Sequence, residues 1–356
     1  MKFVERSLES FRNFIYRLPG GRKLSPLVNA IEDFFLGTDK TAQESPYIHD
    51  AIDIKRYMFL VVAALIIPFL GGVYFYGWRV LAMVIVSYIA GGLTEIIFAI
   101  ARRKSIEEGF LVTGLIFPLT LPPTLPLWMV GVGSIFGVFF GKEVFGGTGR
   151  NIFNPALVGR VFLSVAFPEY FATHWMNPIP GGGFTYYTAD TITSATPLIN
   201  FKTAHTLTPL SSLLLGTVPG SAGETFRIGI ILGGLALILM RVVDWRIPLS
   251  YLATVGFAAF LGNTFSPEKF APPLFQLLGG GLLLGAFFMA TDPVSSPLSF
   301  EGKWIYGILL GIFTVLIRAL SGFPEGVMFA ILLGNAFAPL IDTWVVNRKT
   351  RVWRIR

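Results

Sequence analysis

Two groups of residues in this 356-residue sequence have types and spacings that could do chemistry. The first is the run Asp190-Thr191-Ile192-Thr193-Ser194-Ala195-Thr196-Pro197, inside a long polar segment at about residues 168–226. A residue before proline is pushed towards extended geometry, because the proline ring collides with its backbone in the helical region. Thr196 is therefore expected on an exposed, non-helical loop, where a modifying enzyme can reach its hydroxyl. An ordinary Ser/Thr-rich turn has the same composition, and the run alone does not separate the two readings. The second group is made of acids in or near apolar stretches: Glu95, Asp292 and Asp342. An ionised acid at the centre of a membrane helix costs about 2.5–3.5 kcal/mol on insertion scales, so it must face protein, water or an ion. For Glu95 the alternative is a neutral, hydrogen-bonded carboxyl. For Asp292 and Asp342 it is a helix-end or interfacial acid.

Other features are weaker. Gly91-Gly92, just before Glu95, lets a second helix or a flat ring come close to the backbone, and helix packing through small residues explains the pair equally well. Glu224, beside Gly220 and Gly223, suits a helix N-terminus. The Gly-rich run from Lys142 to Asn151 lacks the spacing of a nucleotide-binding phosphate loop, and no strand precedes it. A tight re-entrant element within protein is still open to it. The sequence has no cysteine, which excludes disulfides and thiolate-ligated metal or iron–sulfur sites within this chain. His49, His174 and His205 are scattered and make no ligand spacing, so no metal site is expected.

The elements that must position these residues are membrane helices. The sequence is 53% hydrophobic and 14% charged, against about 25% charged in soluble domains. Ten apolar runs are read at about 57–76, 79–101, 109–125, 126–141, 154–167, 227–242, 247–265, 274–291, 304–320 and 325–342. With the N-terminus inside and the runs alternating, 23 of the 28 Lys and Arg residues fall inside and five outside. That agrees with the positive-inside rule. Both termini are then cytoplasmic and the 168–226 loop is outside. The net charge of +7 follows this topology, and no nucleic-acid partner is expected. The expected organisation is an amphipathic cytoplasmic arm over 1–56, a transmembrane domain over 57–342 and a basic tail over 343–356. The third to fifth and eighth to tenth runs share a helix–break–helix pattern and start on opposite sides. That suggests an all-α polytopic fold with a 5+5 inverted repeat whose broken helices meet near the midplane.

Longer strings carry a resemblance. K-E-V-F-G-G-T-G-R-N at 142–151 and N-P-A-L-V-G-R at 154–160 resemble the B subunits of the sodium-translocating NADH:quinone reductases. So do L-P-P-T-L-P-L-W at 121–128, M-A-T-D-P-V-S at 289–295, G-K-W-I-Y-G at 302–307 and F-P-E-G-V-M-F-A-I-L at 323–332. The resemblance runs in order from about Asp53 to Val346. It implies FMN joined by a phosphoester to Thr196, the last residue of a D-x-x-[ST]-[GS]-A-T motif fitted by Asp190, Thr193, Ser194, Ala195 and Thr196. Ser194 stands where glycine is usual. It also implies a quinone region at Gly91 and Gly92 and a sodium path through Glu95, Asp292 and Asp342. A noncovalent riboflavin, here without assigned residues, is implied as well. The implied setting is a six-subunit translocase in the bacterial cytoplasmic (inner) membrane, with quinone, the lipid bilayer, Na+ and a maturing flavin transferase as partners. The homologous D subunit of Rnf-type ferredoxin:NAD oxidoreductases is the near alternative. A non-redox solute transporter or channel is the distant one.

Overall fold

The computed structural model describes residues 54–102, 109–179, 184, 187 and 194–354, and six isolated positions of the N-terminal arm. Most of the expected arm, together with Asp190 and Thr193, lies outside the described residues. The described residues form helices and no sheet. The first half holds α1 (Ile54–Tyr76), α2 (Arg79–Arg102), α3 (Gly109–Leu119), α4 (Leu127–Gly141) and α5 (Pro155–Ala166). Short helices α6 (Pro168–Thr173), α7 (Pro197–Ala204) and α8 (Leu210–Leu215) follow in the long polar segment. The second half holds α9 (Arg227–Leu239), α10 (Arg246–Phe265), α11 (Pro273–Leu278), α12 (Leu282–Leu284), α13 (Phe300–Leu320) and α14 (Val327–Arg354). A π turn over Gly285–Met289 extends α12.

Helices α1, α2, α4, α10, α13 and α14 are long and apolar enough to cross a membrane. α3, α5 and α9 are shorter apolar helices, and α11–α12 is one apolar run broken at Gly279–Gly281. These elements account for the ten apolar runs, and the chain is a polytopic membrane protein. The basic tail is not a separate segment, because α14 continues through it to Arg354. Outward stripes such as Ile85, Ile89, Leu93 and Ile97 on α2 are exposed. Their four-residue spacing puts them on one helix face, as a lipid-facing surface requires.

Local signals start several helices. Asn154 Oδ1 accepts the Ala156 N–H at 3.0 Å, with Pro155 at the first helical position of α5. Ser299 Oγ accepts the Gly302 N–H at 3.2 Å and starts α13.

The two halves repeat. α2 packs on α3 and α4 as α10 packs on α11 and α13, and α4 packs on α5 as α13 packs on α14. The halves meet where α1 lies against α9 and α5 against α14. Once the elements are aligned, the sequence shows the echo. Asp53 and Arg56 recur as Glu224 and Arg227, Asn154 as Glu325, and Thr120, Pro122 and Pro126 as Thr291, Pro293 and Pro297, each 171 positions on. Trp78-Arg79 recurs as Trp245-Arg246. The repeat is inverted. The turn at 120–126 lies beside Arg79, whose Nη2 donates to Leu125 O at 3.0 Å. The matching turn at Thr291–Val294 lies at the opposite face, around a cavity shared with Tyr57, Gly109 and Lys142. The first is the Thr196 face and the second the basic face.

Close helix approach depends on glycines. A Cβ at Gly137 would lie 2.5 Å from Pro155 O and 3.0 Å from the Gly159 backbone, so α4 and α5 meet backbone to backbone. Gly137→Val should force these helices apart and cost about 1–3 kcal/mol, as overpacking does. A lower melting temperature of the purified variant in detergent is the expected reading.

Candidate functional site

Thr196 is the N-cap of α7, with extended backbone (φ −65°, ψ 157°) and Pro197 at the first helical position. Its hydroxyl accepts the Ile199 N–H at 3.4 Å. The expected extended geometry is present, but the residue is half-buried and starts a helix, so it is not a free loop position. A helix N-terminus presents unpaired N–H groups and the positive end of the peptide dipoles. The segment before it is docked: Ser194 N donates to Trp175 O at 3.0 Å and Ser194 Oγ to Asn177 Oδ1 at 2.9 Å. Behind it, Lys202 Nζ donates to Ser321 O, and Leu198 and Phe201 pack on α11 and its break. Thr196 is thus held on a short helix fixed to the second half.

The acids separate into two kinds of position. Glu95 is 5% exposed and forms a buried ion pair with Lys142, which follows the last residue of α4. Further along α2, Arg102 Nη1 pairs with Glu143 Oε2 at 2.9 Å. Two ion pairs therefore fasten the 142–145 turn to α2. Lys142 also lines a cavity at the basic face, together with Tyr57, Thr148, Asn151, Asn154 and Asp292. Asp292 sits in the break between α12 and α13, where Oδ1 accepts the Val294 N–H at 3.3 Å and Oδ2 the Ser295 hydroxyl at 2.8 Å. Lys142 thus pairs with Glu95 on α2 and lines a cavity that Asp292, 197 positions from Glu95 in the sequence, also lines.

Asp342 has different surroundings. Its carboxylate accepts the Leu298 N–H at 2.8 Å, the Ser299 N–H at 3.0 Å and the Ser299 hydroxyl. It caps the start of α13 and does not line the Lys142 cavity. Gly91 gives α4 its close approach, since a Cβ there would meet Ser134 Oγ at 2.8 Å. Gly92 has only Phe110, at 3.9 Å, near its would-be Cβ. Among the described residues no group of three or more His, Cys, Asp and Glu could hold a metal ion.

This arrangement sits in a sequence that known proteins share. The model of the NQR2, RnfD, RnfE family matches residues 41–351. The chain belongs to that family. It is 36% identical to the B subunit of the Na(+)-translocating NADH-quinone reductase of Pseudomonas paraeruginosa, over 94% of this chain and 96% of the relative. It is 34% identical to the corresponding protein from Yersinia pestis, over 94% and 97%. With the one from Ectopseudomonas mendocina it shares 42% identity over 76% of this chain and 68% of the relative.

Within this member of the NQR2, RnfD, RnfE family, two sets of residues are hidden from sequence reasoning. Lys142 reads only as part of a Gly-rich string, because its partner lies 47 positions away on another helix. In the sequence Arg160, Arg227 and Arg318 enter only the charge count, with Arg160 placed inside and the other two outside, yet Arg160 reaches the Thr196 face as they do. In the structure they are buried and donate to the carbonyls of Thr120, Leu278 and Gly279, at the ends of broken helices. Breaking a buried pair by removing one partner costs about 3–5 kcal/mol. Lys142→Met and Glu95→Gln should each destabilise by about that much, and the double variant by clearly less than their sum. Thermal unfolding of the four proteins in one detergent measures this coupling, and strict additivity would contradict the pairing.

Proposed function

We propose that this chain is the membrane subunit of a sodium-pumping NADH:quinone reductase and that it carries covalent FMN on Thr196. Its named relatives are B subunits of such reductases, and each matches this chain over most of its length. The observation that carries the site is the position of Thr196 at the N-cap of α7. A phosphoester there places a singly charged phosphodiester where peptide dipoles and helix N-terminal N–H groups favour it. Lys202 and Leu198 anchor α7, so the attached ring has short, fixed reach. Ser194, the residue in place of glycine, uses its hydroxyl on Asn177 and so stays compatible with an ordered motif. Asp190, Thr193, Ser194 and Ala195 are read by the transferase before the chain closes on α7.

When bound, the flavin supplies electron transfer towards quinone, and the protein's part is to hold it and set its surroundings. The basic face is cytoplasmic, with both termini on that side of the bacterial inner membrane, and the Thr196 face is outside. Electrons enter from NADH through other subunits of the six-subunit complex. Sodium enters at the cavity lined by Lys142 and Asp292, beside the Glu95–Lys142 pair. Asp342 contributes by holding the start of α13. The surface at Gly92 and Phe110, close to Gly91, is the quinone contact. The Lys142 cavity holds only about 60 Å³ of free space, room for an ion and water but not for the implied riboflavin, so that flavin is not assigned to it.

One measurement tests this reading. In-gel flavin fluorescence of the chain made with its transferase should show a band that Thr196→Val abolishes. A dark wild-type band would favour a non-redox transporter.

A further inference from the structure

Three carboxylate oxygens converge on one spot at the Thr196 face. The spot lies beside Gly281, in the break between α11 and α12. A Cβ at Gly281 would lie 3.4 Å from Glu224 Oε2, 3.7 Å from Glu325 Oε2 and 3.8 Å from Glu325 Oε1. Glycine leaves this position open. Glu224 is 4% exposed, and its Oε1 accepts the Ser221 N–H at 2.9 Å. Its Oε2 is buried and has no hydrogen-bond partner among the described residues. Burying an unpaired carboxylate oxygen is costly, so a protein keeps one only where something can pair with it. Glu325 accepts the Gly281 N–H at 3.1 Å on each oxygen, and Arg318 Nη2 stands 3.4 Å from Oε1. The Glu325 side chain is 17% exposed, which opens the spot to water on that face.

The neighbouring cations donate chiefly to backbone carbonyls, and Arg318 also pairs with Glu325. Arg160 donates to Thr120 O, Arg227 to Leu278 O at 2.5 Å and to Leu213 O, and Arg318 to Gln276 O and Gly279 O at 2.8 Å. All three arginines are felt by the acid pair, yet none donates to Glu224 Oε2. The repeat adds an independent argument. Glu224 and Glu325 occupy the positions of Asp53 and Asn154 in the first half, and Asn154 lines the cavity at the opposite face. Asn154 and its counterpart Glu325 thus offer side-chain oxygens at opposite faces.

We infer that Glu224 and Glu325 bind a monovalent cation of sodium's class beside Gly281, as the release site of the transport path. This rests on the reading of the chain as an ion-pumping subunit. Hard cations take carboxylate and carbonyl oxygens. The surrounding guanidinium charge keeps the site weak, and a conducting path needs sites that let the ion leave. The site also lies under the flavin helix. Leu198, two residues after Thr196, reaches to 2.8 Å from the position of a Cβ on Gly280. Gly280 has a positive φ of 64°, so this backbone is a bend at which α7 and Glu325 both act. A movement of α7 therefore reaches the Gly281 N–H that holds Glu325.

The test uses the complete complex in proteoliposomes. Gly281 has φ −77° and ψ 19°, which any residue can adopt. The methyl of Gly281→Ala would make only ordinary contacts, yet it occupies the cation's place. Gly281→Ala and Glu224→Gln should each cut the sodium-stimulated part of quinone reduction about tenfold, a loss of roughly one order in an apparent constant. Covalent FMN and NADH oxidation by an artificial upstream acceptor should not change. Normal sodium-stimulated turnover in Gly281→Ala overturns the site, even if Glu224→Gln fails to assemble. A wild-type complex that turns over without any sodium dependence overturns the ion-pumping reading itself, and the site with it.

Discussion

The structure depends on one constraint: backbone carbonyls at the ends of broken helices have no water to bond inside a bilayer. Each unpaired group there costs several kcal/mol. This chain breaks two of its spans, after Leu119 and after Leu278, and leaves carbonyls at both breaks. Backbone from the long polar segment covers part of the first, since Gly223 N donates to Leu119 O at 2.7 Å and Ala222 N to Leu121 O at 3.2 Å. Buried guanidiniums cover other carbonyls at both. Arg160 takes Thr120 O, Arg227 takes Leu278 O, and Arg318 takes Gln276 O and Gly279 O. An arginine suits this work because its donors fan out in a plane and its charge does not titrate away. It also answers the partial negative charge at a helix C-terminus.

That solution has an electrostatic consequence. Three buried cations at one face need anions nearby, and Glu224 and Glu325 are the acids that the fold puts there. At the other face the arrangement is reversed. There Glu95 pairs with a single lysine, Lys142, which lines a cavity with Asp292. Under the proposed function, an ion crossing from the basic face to the Thr196 face would pass from acid-lined to cation-rich surroundings. This gradient is built into the helices that make the breaks, and no loop is needed to impose it.

Much of the fold is legible in the sequence because hydrophobic length and proline position act locally. Ten apolar runs, the Pro-rich breaks and the extended geometry of Thr196 all follow from residues within a few positions of each other. The inverted repeat is visible there only as a pattern of breaks. Its residue-level echo, Trp78-Arg79 with Trp245-Arg246 and Asp53 with Glu224, is too sparse to trust before the helices are aligned. Thr196 reads as a loop hydroxyl because the helix after it is only eight residues long and weakly patterned. Asp342 and Asp292 look alike in sequence, as acids beside breaks. Their difference, a cap on α13 against a cavity wall, depends on which distant backbone each one meets. The same holds for Lys142, which lies in a Gly-rich run and whose partner is on α2.

The long polar segment connects these parts. It supplies the backbone that covers the α3 end, it carries Thr196, and it ends in Glu224 at the start of α9. One stretch of chain therefore touches the helix break, the proposed flavin anchor and the unpaired carboxylate. A change of charge near Thr196 acts on α7, and α7 rests through Leu198 on the Gly279–Gly281 bend. Because that bend donates its N–H to Glu325, it has two ways to move the acid: through backbone position and through the Arg318 that binds the adjacent carbonyl. If the chain works as proposed, coupling of flavin redox state to ion affinity would need no long pathway, only two arrangements of this three-residue bend that differ in how tightly the acids beside it hold a cation.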